Sequence, residues 1–368
     1  MGSCCSTTSK EAGGGLEIQA TPATTVPFRS SGSLPQANAA DLNPADFIVS
    51  GKTGETIIRR CGEVQGQSFA IEELTGCTVL VLDHSEQVTI DECKDCKIFV
   101  AACCSSVFIR DCENCVLAVC CQQLRTRDVK DSDLLVFSTT EPIIESSSEL
   151  RIGCLDISYF GHAAHLDAAR LSPWDNRFSE IHDFTPPDGA TGKSSTNWAP
   201  PAEPLGQDES LLSEVGERID ETIGLTAERG LLAIPKTLGV RCRKEHAAVA
   251  LLLPACAASM GADLVDAVCG KVCTGLTKLT QSRTITLTSG QSKTLFPKRP
   301  RAAAAAAGSP CLVLELSGAD AAESVTRALA EAGAEAEAYA VWSGEESAPR
   351  VRLLFEELRE SAGSALGC

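Results

Sequence analysis

CCQQLRTRD, Cys120 to Asp128, lies near the centre of a stretch from Ala70 to Gly153 whose apolar residues recur in blocks. IEELTGCTVLV starts at Ile71, IDECKDCKIFV at Ile90 and IRDCENCVLAV at Ile109. TRDVKDSDLLV starts at Thr126 and IESSSELRIG at Ile144, so the offsets are 19, 19, 17 and 18 residues. A near-constant period of this size predicts a solenoid, in which no coil buries its apolar side alone and each stacks on the next. Coils of short strands at the roughly 4.8 Å spacing of a parallel sheet make a β-helix.

Three positions per coil recur as sets. The starting residues are Ile71, Ile90, Ile109, Thr126 and Ile144. Three residues on come Leu74, Cys93, Cys112, Val129 and Ser147; six on come Cys77, Cys96, Cys115, Ser132 and Leu150. Small and apolar residues dominate, as a narrow interior requires. This reinterprets a zinc-like pattern, Cys93-x2-Cys96-x15-Cys112-x2-Cys115. Leu74, Val129, Leu150 and Ser147 occupy the same columns and do not ligate zinc, so the repeat itself explains the spacing and no metal is expected.

Alternate residues of a strand point to opposite sides. With the coil starts inward, the outward residues after them are Glu72, Asp91, Arg110, Arg127 and Glu145, and those before them are Ala70, Thr89, Phe108, Arg125 and Ile143. Gln123, Arg125 and Arg127 thus share an exposed face, with Phe108 and Arg110 one coil below and Glu145 one coil above. Arginines, a ring and carboxylates on a flat surface suit protein binding; the competing reading is a solvated face with weak salt bridges.

The chain of 368 residues has room for two domains and linkers, and its net charge of −17 argues against general nucleic-acid binding. No run of about 20 apolar residues predicts a membrane-spanning helix. Eleven of the nineteen cysteines fall between Cys61 and Cys154; without an export signal, reduced thiols acting as small core residues are the better reading. The chain opens MGSCCS, where Gly2 and Ser6 fit the N-myristoylation pattern and Cys4 and Cys5 offer palmitoylation sites. One myristoyl chain binds a membrane only marginally, so a second acyl group matters. Residues 1–43 read as an acylated flexible tether, rich in Ser, Thr, Gly, Ala and Pro.

CCQQLRTRD, TEPIIESSSELRIGC (Thr140 to Cys154), SEIHDFTP (Ser179 to Pro186) and NWAP resemble the tubulin-cofactor-C domain family. The resemblance is dense from about Asp46 to Trp198. It implies a right-handed β-helix over residues 44–200 that activates a small GTPase by inserting an arginine, here Arg125. It also implies Gln123, Arg127 and Glu145 at the contact; from its place one coil away on the same face, Glu145 is expected to orient Arg125 or bind a basic residue of the partner. The implied partner is an ADP-ribosylation-factor-like GTPase in its GTP form, in ciliary and membrane trafficking of lipidated proteins. GTP and magnesium then belong to the partner, and the chain needs no cofactor of its own. A non-catalytic adaptor for a GTPase or for tubulin is the alternative. The implied location is the cytoplasmic face of the plasma membrane, the ciliary base or the cilium.

His162 and His165 are three apart, but no third ligand is spaced with them, and they read as surface histidines. His182 and Asp183 read as structure closing the domain, since neighbours in a strand point oppositely. Residues 201–228 form a linker carrying an amphipathic helix, Glu209 to Gly224. From 229 to 368, HAAVALLLPA, TITLTSG, PCLVLELSG and AEAYAVWSG read as strands alternating with helices. By position this resembles an α+β ferredoxin-like, nucleoside-diphosphate-kinase-like domain. His246 stands outside any matching motif, so no kinase activity is expected.

Overall fold

The computed structural model describes residues 43–155, 157, 159, 161–185, 197–200, 233–240, 247–261 and 264–357. Gly2, Cys4, Cys5, the Glu209–Gly224 helix and His246 lie outside the described residues. The first strands are β1 (Ile48–Ser50), β2 (Thr56–Arg59), β3 (Phe69–Glu72), β4 (Thr78–Ser85), β5 (Val88–Asp91) and β6 (Lys97–Arg110). β7 (Val116–Arg127), β8 (Asp133–Ser138), β9 (Ile143–Glu145), β10 (Leu150–Cys154), β11 (His182–Asp183) and β12 (Trp198–Ala199) follow.

All of these strands pair in parallel, in two columns. One stacks β1, β3, β5, the end of β6, the end of β7, β9 and β11. The other stacks β2, β4, the start of β6, the start of β7, β8, β10 and β12. A third, one-residue-wide face bridges Thr53, Thr75, Lys94, Glu113, Lys130 and Ser148. The expected parallel solenoid is present.

Two left-handed corners per coil flank that narrow face. Glu73, Glu92, Asp111, Asp128 and Ser146 form one set, and Gly76, Asp95, Asn114, Asp131 and Glu149 the other, with φ between 42° and 62°. Gly, Asn and Asp tolerate this conformation best, which accounts for their frequency here. The corners set the Cys-x2-Cys spacing: Cys93 and Cys96 point inward on either side of the bridge residue Lys94, and both are buried. Their thiols donate to the carbonyls two residues back, Cys93 Sγ to Asp91 O at 3.4 Å and Cys96 Sγ to Lys94 O at 3.2 Å. Cys112 and Cys115 repeat this with Arg110 O and Glu113 O. Ser132 and Ser147 do so with Lys130 O at 2.8 Å and Glu145 O at 3.0 Å. Cysteine and serine therefore make the same corner hydrogen bond in these columns.

The two wide faces differ on their outer sides. The β2 column reads as continuous apolar runs, and its outward Leu80, Phe99, Ala118 and Leu135 are buried. They pack in one cluster with Leu166 and Ala169 of helix α1 (His162–Ala168) and its C-terminal end, and with Leu171, Ala233 and Ile234. The β1 column alternates apolar and polar residues (FAIE, VTID, VFIR, LRTR), and its outward side chains are half-buried or exposed.

The C-terminal sheet contains β13 (Ala247–Leu252), β14 (Lys278–Thr286), β15 (Pro310–Ser317) and β16 (Tyr339–Ser343). Its order is β14-β15-β13-β16, and all neighbours are antiparallel. Both faces are covered: Ala248, Ala250 and Leu252 pack with Val325 and Leu329 of the helix Ala321–Glu331, whereas Val249 and Leu251 pack with Leu295, Ala303 and Phe355. Burial on both sides is why the β13 segment is apolar throughout. TITLTSG is not a strand over its whole length: β14 begins at Lys278, and Thr288 instead caps a helix, Ser289–Leu295, through a capping box with Gln291. The alanine run forms a short helix, Pro300–Ala306, with Ala302, Ala303 and Ala306 buried.

The two halves interlock. Trp174 enters the C-terminal core, and its carbonyl accepts from Ser282 Oγ at 2.8 Å. Asp175 Oδ1 accepts from Thr284 N at 2.7 Å, and Glu180 pairs with Arg283 at 2.9 Å. Gly239, with φ +81°, passes so close to Ser179 that an added Cβ would lie 2.7 Å from its Cβ.

Candidate functional site

The uncovered face is built by register. Phe108, Arg125, Ile143 and His182 are successive neighbours in one outward row. Asp91, Arg110, Arg127 and Glu145 form the next row, and Ser106 and Gln123 pair beside them. Arg125, Arg127 and Glu145 are exposed, while Gln123, Phe108 and Arg110 are half-buried. The coil starts between the rows are buried, so each strand is fixed from beneath by the core.

The arginines on this face are held differently. Arg110 is clamped by Asp91 of the coil below, with Nε to Oδ1 at 2.7 Å and a second bond to Oδ2. That hydrogen-bonded carboxylate pushes the guanidinium pKa up. Arg127 Nε lies 3.5 Å from Asp128. Arg125 has no carboxylate partner among the described residues. Its Nε donates to Gln123 Oε1 at 3.2 Å, and its Cζ lies 6.0 Å from the centroid of the Phe108 ring. The side chain is positioned from two sides, while its terminal NH2 groups take no hydrogen-bond partner among the described residues.

Glu145 stands opposite Arg127, not Arg125. Gln123, rather than Glu145, is the polar group that holds Arg125. His182 and Phe184 extend the face beyond the sequence reading: both are exposed, Phe184 by 58%, and their rings lie 4.2 Å apart. The two-residue strand that carries His182 falls after the repeat ends, so no period announces it. Asp183 is structural, accepting from Thr185 N and Asn197 Nδ2, each at 2.9 Å.

His162 and His165 are buried, not on the surface as the sequence suggested. His162 Nε2 contacts Ala101 O at 2.8 Å, and burial lowers its pKa to about 4. His165 Nδ1 contacts the Tyr159 hydroxyl at 2.5 Å. Helix spacing could not reveal what faces His165, because Asp83 and Cys61 come from distant parts of the chain.

Comparison with known proteins agrees with the motif reading of the solenoid. Residues 66–184 match the family model of Tubulin binding cofactor C. A protein of Danio rerio named Protein XRP2 is 40% identical over 242 residues, covering 64% of this chain and 62% of that protein. The Homo sapiens protein of the same name is 39% identical, covering 62% of this chain and 65% of its own length. Tubulin-specific chaperone C of Homo sapiens is 26% identical, over 52% of this chain and 56% of that one. A solved structure, Tubulin Binding Cofactor C from Leishmania major, aligns at 27% identity with a TM-score of 0.29, covering 35% of this chain and 86% of that one. The chain thus spans less than two thirds of the length of these curated relatives.

Proposed function

We propose that the tubulin-cofactor-C-like solenoid is a GTPase-activating module that supplies Arg125 in trans to an ADP-ribosylation-factor-like GTPase in its GTP form. The observation that carries this reading is an exposed arginine, fixed by Gln123 and Phe108, with no carboxylate among the described residues competing for its guanidinium. Phosphoryl transfer needs positive charge at the γ-phosphoryl group, and an arginine given in trans is worth about 10³ to 10⁵ in rate. A side chain mounted on a packed sheet loses little freedom on docking, so its positioning is provided before the encounter. Arg127, Glu145, Arg110 and Phe108 surround it as the docking surface. GTP and magnesium come with the partner.

N-terminal acylation at Gly2, with Cys4 or Cys5, would hold the module on the cytoplasmic face of a membrane, at the plasma membrane or the cilium. The C-terminal sheet order supports a ferredoxin-like reading, and we assign it no kinase activity.

Single-turnover GTP hydrolysis by a panel of such GTPases tests the reading. Stimulation by the parent, and its loss with Arg125→Ala while complex formation persists, is expected. The relatives named Tubulin-specific chaperone C favour a second reading, an adaptor for a GTPase or tubulin. Binding without any rate effect would select it.

A further inference from the structure

Where the turn after β2, the end of β4 and α1 come together, three side chains of different chemistry meet. Cys61 Sγ, an Asp83 carboxylate oxygen and a ring nitrogen of His165 lie within 4.8 Å of one another. Asp83 and His165 are 1% and 2% exposed, while Cys61 opens to the surface. The residues come from the turn after β2, from β4 and from α1.

Two arrangements use cysteine, histidine and aspartate together, and the ring orientation separates them. In a nucleophilic triad the carboxylate holds the imidazole nitrogen that points away from the thiol. Here the Nδ1 edge of His165 is taken by the Tyr159 hydroxyl at 2.5 Å, and it is Nε2 that faces Asp83 Oδ1. With Tyr159 at Nδ1 and Asp83 at Nε2, no ring nitrogen is left free to act as base toward the Cys61 thiol. Donors converging on one point, with the second imidazole nitrogen fixed by an outer group, is the layout of a metal site.

The spacing agrees. His165 Nε2 and Asp83 Oδ1 are 3.7 Å apart, too long for an N–H···O hydrogen bond. Nitrogen and oxygen ligands on a tetrahedron with bonds of 2.0–2.1 Å lie roughly 3.3 Å apart, so this pair needs only a small shift to close onto an ion. The support is built in. Asp83 Oδ2 accepts from the backbone N–H groups of Gly62, Val64 and Gln65 at 3.0, 2.9 and 2.8 Å, which fixes the turn beginning at Cys61. Asp83 Oδ1 accepts from His84 N at 2.9 Å and contacts His84 Nδ1 at 3.2 Å. No lysine or arginine pairs with this buried carboxylate among the described residues; its only basic neighbours are His84 and His165.

We propose that Cys61, Asp83 and His165 form a binding site for one divalent metal ion of the zinc class, with a fourth position open to water at the Cys61 side. On binding, the Cys61 thiol gives its proton to solvent, and the ion ties α1 to the turn after β2. Thiolate, imidazole and carboxylate together suit zinc better than the all-oxygen preference of magnesium or calcium.

The test uses the full chain, stripped with chelator under reducing conditions and titrated with Co(II). One equivalent should give intense four-coordinate visible bands and a thiolate-to-cobalt charge-transfer band, both displaced by Zn(II). Cys61→Ala changes an exposed side chain, and its fold is checked by circular dichroism. It should lose the charge-transfer band and weaken binding at least about tenfold. Absence of stoichiometric binding by the parent would overturn the site. So would a band unchanged in Cys61→Ala, which would place the metal on other thiols.

Discussion

The two wide faces of the solenoid share one set of strands and one interior, yet they end in opposite surroundings. Phe99 and Phe108 both belong to β6. Phe99 points out from the covered face and is buried under α1 and its neighbours. Phe108 points out from the uncovered face and supports Arg125. The chain therefore uses one face to hold itself together and leaves the outward side chains of the other half-buried or exposed. What distinguishes them is the outward set: apolar and buried in the runs of the β2 column, mostly polar or charged in the β1 column, where Phe108 and Ile143 are half-buried.

That difference can be broken by mutation. Phe99→Ala should cost about 3–5 kcal/mol, read as a shift in urea unfolding, whereas Phe108→Ala should cost about 1 kcal/mol or less and reduce GTPase stimulation. Equal costs would mean the faces are not mechanically distinct. His162 probes the same covered face through pH. Its pKa lies at about 4 in the fold, lowered by burial. The unfolded chain takes up that proton near pH 6.5, so the neutral-state stability is complete above that pH and declines as pH falls toward 4. The loss from this group is about 3 kcal/mol, and His162→Gln should flatten the curve in that window.

The interior should respond least. Cys112→Ser and Cys115→Ser each place in one coil the donor that Ser147 and Ser132 already supply in the same columns. Each is expected to cost about 1 kcal/mol or less in chemical denaturation. A loss of several kcal/mol would show that sulfur, not the corner hydrogen bond, is what those positions require. Arg110→Ala, removing a half-exposed pair with Asp91, should change stability by under about 1 kcal/mol.

The solenoid was legible because its interior columns repeat. Ile71, Ile90, Ile109 and Ile144 announce the period, and the period then places Arg125 and Arg127 outward. The cover of the second face was not legible. Leu166, Ala233 and Ile234 lie outside the repeat, and nothing local says which face they will meet. For the same reason the histidines were misplaced: a spacing of three describes one helix, while burial of His162 and His165 depends on Ala101 and Asp83 across the fold. His182 reaches the arginine row through a two-residue strand, too short to carry a pattern. In the C-terminal half, the alternation of TITLTSG continues past the true strand end, and the capping box at Thr288 overrides it.

Single-turnover GTP hydrolysis at saturating solenoid concentration reads whether Arg125 works as a guanidinium aimed at a partner's transferring phosphoryl group. Arg125→Lys should lose most of the stimulation, close to Arg125→Ala, with complex formation retained in both, because a point charge lacks the fixed donor fork. Full stimulation by Arg125→Ala would contradict the account.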